Sequence, residues 1–116
     1  MTDRHRQSPY ISINTFTAVG GDIDALTAFQ IAEMRDMSDE ATAYGWLGNE
    51  VYRSRDGASL IVVTRFRSAE ARESWAQTDR FRHHVDDLAP LIEDVTSVPV
   101  TFLAAHGDSP LAGDQR

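Results

Sequence analysis

The sequence predicts an α+β domain in which an antiparallel sheet carries its helices on one face. Three observations lead there. Segments of period two and segments of helical period follow the order strand, helix, strand, strand, helix, strand. The breaks between them hold turn and capping residues, notably Gly20-Gly21, Asp56-Gly57, Ser68 and Thr78. At 116 residues and 41% apolar, the chain is one domain able to bury a core.

Residues 1–9 are polar, end in Ser8-Pro9 and are expected to form a mobile arm that includes His5. Strand one is expected from Tyr10 to Val19. Ile11, Ile13, Thr15 and Thr17 share one face; Ser12, Asn14 and Phe16 share the other. Asn is depleted in strands, so Asn14 is either a satisfied edge residue or an amide aimed into a pocket. Asp22 is a plausible N-cap for a helix running to about Asp39, with Ile23, Leu26, Phe29, Met34 and Met37 on one stripe. Ser38 to Tyr44 reads as a polar connection.

Strand two is expected from Gly45 to Ser54, a hairpin turn at Asp56-Gly57, and strand three from Ser59 to Phe66. The run Leu60-Ile61-Val62-Val63 does not alternate, which implies cover on both faces. Two helices on one face leave the other open, and a second subunit is the economical cover. Ser68 should cap a helix reaching about Gln77. Thr78-Asp79 should restart it from Arg80 to about Ala89, before Pro90. Leu91 to Ser97 then leads to strand four at about Val98 to Ala104, with Pro99 marking an edge. Residues 10–105 form the domain, and 106–116 a mobile tail. The arrangement is the ferredoxin-like βαββαβ.

Composition excludes several functions. A formal charge of −7 argues against nucleic-acid binding. There is no cysteine, hence no disulfide, thiolate nucleophile or thiolate ligand. All eleven basic residues are arginine, so Schiff-base lysine chemistry is out. No apolar run is long enough to span a membrane, and the first residues lack the apolar core of a signal peptide. A cytoplasmic location without membrane partners is expected. Phosphate loops, nucleophile elbows, H-E-x-x-H and EF-hand loops are missing from the sequence.

The chemistry concentrates between Phe66 and Leu91. In the last helical segment Phe81, Val85 and Leu88 make an apolar face, and His84 borders it while His83 lies on the polar side. An inward His84 is either a satisfied core histidine or a neutral imidazole offered as a base or metal ligand. Trp75 should face the sheet, as core or as the wall of a site for a flat aromatic. Arg65, Arg72, Arg80 and Arg82 could hold ligand carboxylates or pair with the protein's own acids.

Residues 10–104 resemble the antibiotic biosynthesis monooxygenase family, whose members are dimeric α+β barrels. The match lies in I-S-I-N-T-F-T, in Y-G-W-L-G, and in V-V-T-R-F-R-S-A-E-A-R-E-S-W-A-Q-T-D-R-F-R-H-H. The heme-degrading branch uses an Asn on strand one, a Trp on the helix after strand three and an axial His beyond it. Asn14, Trp75 and His84 match those positions, His84 lying nine positions beyond Trp75. The resemblance implies oxidation of heme at a meso carbon by O2 with an electron donor, His84 as axial iron ligand and His83 as the fallback. A second branch oxidises aromatic polyketides such as anthrones with O2 and no cofactor. There Asn14 would bind a substrate oxygen and His84 would be the base. That branch places an Asn and a Trp on strand three, where this chain has Val62 and Phe66; the heme branch also often ends that strand in Trp. A third use of the fold is non-catalytic, as a binding or cyclase-like accessory protein. In each case a homodimer is implied, with a planar aromatic ligand bounded by Phe16, Phe66, Phe81, Arg65 and His83.

Overall fold

The computed structural model describes residues 8–108. The elements are β1 (Tyr10–Ala18), α1 (Ile23–Ala43), β2 (Trp46–Arg53), β3 (Ser59–Phe66), α2 (Ala69–Ala76), α3 (Asp79–Leu88) and β4 (Ile92–Val100). Single 3-10 turns at Val19–Gly21 and Ala89–Leu91 lead into α1 and β4. The strands form one antiparallel sheet in the order β2-β3-β1-β4. Each crossover therefore skips a strand, which makes the ferredoxin-like pattern. The arm with His5, and all but the start of the C-terminal tail, lie outside the described residues. Among the described residues no helix is long and apolar enough to cross a membrane.

Side-chain caps start all three helices. Asp22 Oδ1 accepts from the Ala25 amide at 3.1 Å, Ser68 Oγ from Ala71 at 3.0 Å, and Thr78 Oγ1 from Phe81 at 3.1 Å. Each satisfies an N–H that the helix itself leaves free. The Thr78 cap also explains why α2 and α3 are separate helices.

Two boundaries differ from expectation. The first helix does not give way to a polar connection at Ser38; it runs on to Ala43. Met37 and Ala41 are buried four residues apart, so the apolar stripe continues beneath the polar residues. Strand four begins at Ile92, not near Val98, and stops at Val100. It is an edge strand whose middle residues are exposed, so it shows little alternation. Pro99, opposite Ser12, falls near its end, where a missing N–H is tolerated.

The core lies between the sheet and the helices in two clusters. One holds Phe16, Ala18, Leu26, Leu60, Val62 and Leu88; the other holds Met37, Ala41, Phe66 and Trp75. Both faces of β3 are apolar, but this chain covers only one. Leu60 and Val62 are buried beneath the helices, while Ile61 and Val63 are half-buried on the outer face. Near them Ile13 is 36% exposed, Tyr52 53% and Val98 48%.

Gly45 joins α1 to β2 at a φ of +105°, and its carbonyl accepts from the Arg67 amide at 2.7 Å. A Cβ there would lie 2.8 Å from the Ala71 Cβ and 3.2 Å from the Arg67 guanidinium. Gly45→Ala is therefore expected to cost about 1–3 kcal/mol through backbone strain and overpacking. Urea unfolding would show this as a lower midpoint at unchanged m-value, and an unaltered midpoint would mean that the turn relaxes freely.

Candidate active site

A cavity of about 370 Å³ opens between the sheet and the three helices and is lined from both core clusters. That volume suits a small organic ligand. Its floor is polar because strand alternation turns Ser12 and Asn14 of β1, Asn49 of β2 and Thr64 of β3 toward the helices. Register then gathers them, since Thr64 pairs with both Ser12 and Asn49, while Asn14 pairs with Val62 and Ser97. Ser12 Oγ donates to Asn14 Oδ1 at 3.0 Å. Asn14 Nδ2 donates to the Val62 carbonyl at 3.0 Å and reaches Thr64 Oγ1 at 3.5 Å. Asn49 Nδ2 donates to the same Thr64 oxygen at 3.1 Å. Asn49 Oδ1 is enclosed and has no partner among the described residues. A native fold seldom leaves such an acceptor unserved.

The helix side supplies the titratable group. His84 is 8% exposed and lines the cavity from α3. Its Nδ1 lies 2.9 Å from Glu33 Oε1 on α1. Arg80, one turn before His84, holds both Glu33 oxygens at 3.3 and 3.2 Å. Burial opposes the ionisation of Glu33, but the hydrogen bonds and positive charge of Arg80 and His84 outweigh it. The carboxyl therefore sits below its ordinary value of 4.5. An ionised Glu33 accepts a hydrogen bond from Nδ1–H. It selects the tautomer whose Nε2 carries a free lone pair. Phe29 stacks on the imidazole at 5.8 Å and 10°, and Phe81 lies 6.1 Å away.

Trp75, 5% exposed, forms the wall at the other end, between Tyr44 at 5.8 Å and Phe81 at 6.1 Å. Phe16 and Phe66 also line the cavity. Arg72 is the one cation along its lining among the described residues, and its guanidinium lies over the Tyr10 ring at 5.9 Å.

Asn14, Phe16, Phe66, Trp75, Phe81 and His84 thus meet at one cavity. Arg65 and His83 do not. Arg65 alternates with Thr64 and Phe66, so it points to the outer face and pairs with Glu50 there. His83 is exposed on the side of α3 away from the cavity, 100° around from His84. Neither lines this cavity. Glu33, Gln30, Asn49 and Thr64 are the site residues that the sequence reading passes over. Position 30 carries a visible signal, because it falls on the stripe through Leu26, Met37 and Ala41 where an apolar residue belongs.

The sequence profile of the antibiotic biosynthesis monooxygenases matches residues 9–87, more than half of the chain. The chain belongs to that family. Among solved structures, this family member is similar to PA3566 of Pseudomonas aeruginosa, with a TM-score of 0.66 and 24% identity over 86% of this chain and 99% of that one. It is similar to SO0527 of Shewanella oneidensis, with a TM-score of 0.67 and 22% identity over 81% and 90%. It is similar also to Rv0793 of Mycobacterium tuberculosis, with a TM-score of 0.69 and 22% identity over 86% and 100%. At these identities the likeness establishes the fold. No curated protein matches the chain.

The Glu33 geometry makes stability depend on pH. A carboxyl whose folded value is lowered stabilises the fold fully above its unfolded value, about 4.5, and loses that contribution as pH falls through the folded value. Below about pH 5 the unfolding free energy of the wild type is expected to fall more steeply than that of Glu33→Gln. Parallel acid titrations of the two proteins would remove Glu33 from this role.

Proposed function

We propose that this monooxygenase-family protein acts without a cofactor on an uncharged, planar, oxygenated aromatic, with His84 as the base. The observation that carries this reading is the Glu33–His84 pair. Nδ1 is engaged by a carboxylate, and Nε2 has no hydrogen-bond partner among the described residues while its ring lines the cavity. A proton taken at Nε2 turns the ring into an imidazolium already paired with Glu33, so the charge forms beside its counterion. The aromatic walls suit a flat ring system, and the floor offers amides and hydroxyls instead of charges.

The reaction balances with O2 alone. Removal of a proton from an activated ring CH2 leaves a delocalised carbanion, which passes one electron to O2. Recombination forms a C–O bond. The hydroperoxide then loses water, with His84 returning its proton, so that CH2 plus O2 gives C=O plus H2O. Asn14, whose amide hydrogens are both engaged, serves here by holding Ser12 and Thr64 in place beneath the ligand. Anthrone is the test substrate. O2 uptake above the uncatalysed background is expected, and His84→Ala should lower kcat by about 10²-fold or more. Uptake that survives His84→Ala unchanged would exclude the base.

A second reading is heme oxygenation with His84 as axial ligand, and the same imidazole favours it. Among the described residues no group of three or more metal-binding side chains occurs, but heme iron needs only one protein ligand. Bound heme would supply iron for O2 activation, and His84 would hold it while Glu33 fixed the ring. Two features fit heme less well. Both amide hydrogens of Asn14 are engaged, and Arg72 alone among the lining residues could meet a propionate. Hemin titration separates the readings. A saturable sharp Soret band lost in His84→Ala would establish heme binding, and broad unsaturable absorbance would leave the cofactor-free reaction.

The exposed outer face of the sheet supports a homodimer closed through Ile13, Tyr52 and Val98. Light scattering is expected to give twice the 12.9 kDa chain mass. A monomeric mass in dilute solution would rule the dimer out.

A further inference from the structure

Gln30 occupies the centre of the buried stripe of α1. It is 3% exposed, its amide makes no hydrogen bond among the described residues, and it lines the cavity, from which the amide can still be reached. An amide at a stripe position brings polarity that packing does not call for, since an aliphatic side chain of similar size would fill the same space. Across the cavity, the enclosed Asn49 Oδ1 also lacks a partner. Both line the same cavity, one from α1 and the other from β2. Arg53 at the end of β2 holds Asp24 at the start of α1 at 2.9 Å. From that tie Gln30 is about 9 Å along the helix, and Asn49 is about 13 Å back along the antiparallel strand. Neither residue is needed for the proton chemistry at His84. Both are neutral, and together they present unmet donors and an unmet acceptor. Their complement is an uncharged ligand edge bearing a carbonyl and a hydroxyl.

We propose that Gln30 determines specificity by donating its amide N–H to a keto or phenolic oxygen on the substrate edge that lies under α1. This rests on the reading of the cavity as a site for a planar aromatic, and it narrows the substrate to one oxygenated on that edge. The unpartnered Asn49 oxygen points the same way, to an occupant that donates as well as accepts.

The experiment is a fluorescence titration that uses Trp46 and Trp75, both of which line the cavity. The probes are 1,8-dihydroxyanthraquinone and anthracene, which has the same shape without oxygen. The proteins are wild type, Gln30→Met and Gln30→Leu. Wild type is expected to prefer the oxygenated probe by about tenfold, as one or two hydrogen bonds allow. Gln30→Met should lose most of that preference, hold anthracene at least as well, and unfold at the same or a higher temperature. A preference that survives both substitutions would mean that water serves the amide, and would overturn the proposal. An equal loss for both probes, or a lower unfolding temperature, would mean that Gln30 only packs. Discrimination through Gln30 without anthrone oxidation would sink the proposed reaction and keep the site. Oxidation without discrimination would do the reverse. If neither probe quenches, both fall.

Discussion

The carboxylate of Glu33 is the interaction on which the site depends. It lies on α1, and its partners Arg80 and His84 are one turn apart on α3. The pairing joins two helices far apart in sequence across the top of the sheet. It leaves a half-buried charge compensated by a guanidinium, which a lone buried carboxylate would lack. It also decides what His84 can do. With Nδ1 occupied, the ring cannot turn without breaking the pair, and Phe29 stacked on it restricts it further. The imidazole is thereby held in one orientation.

The sheet side is organised differently. Its polar residues are neutral, mutually bonded and carried on the two central strands and one edge strand. The helix layer lines the cavity with ionisable side chains, and the sheet layer lines it with amides and hydroxyls. Aromatic rings at Trp75, Phe81 and Phe66 close the end.

The strand and helix order, the three caps and the inward turn of His84 were all legible in the sequence. They rest on local rules: period, capping chemistry and 100° of rotation per residue. Arg65 and His83 lie close in sequence to the cavity residues but point away from the cavity. One residue's displacement sends a side chain through the sheet or around the helix. β4 was hidden because an exposed edge strand need not alternate. Glu33 lay beyond local reading, since its partner is 51 residues away and nothing in E-M-R-D marks which acid faces inward. Gln30 could have been found from the stripe alone, and Asn49 from the alternation of β2.

Strand β3 carries two separable traits on eight residues. Leu60, Val62, Thr64 and Phe66 face the cavity or core, and Ile61, Val63 and Arg65 face outward. Point substitutions can therefore adjust what the protein holds without touching its outer surface, or the reverse. A single inserted or deleted codon in that stretch would exchange the two sets at once. Divergence among relatives of this chain should proceed along β3 by replacement, with length changes confined to the hairpin at Asp56-Gly57.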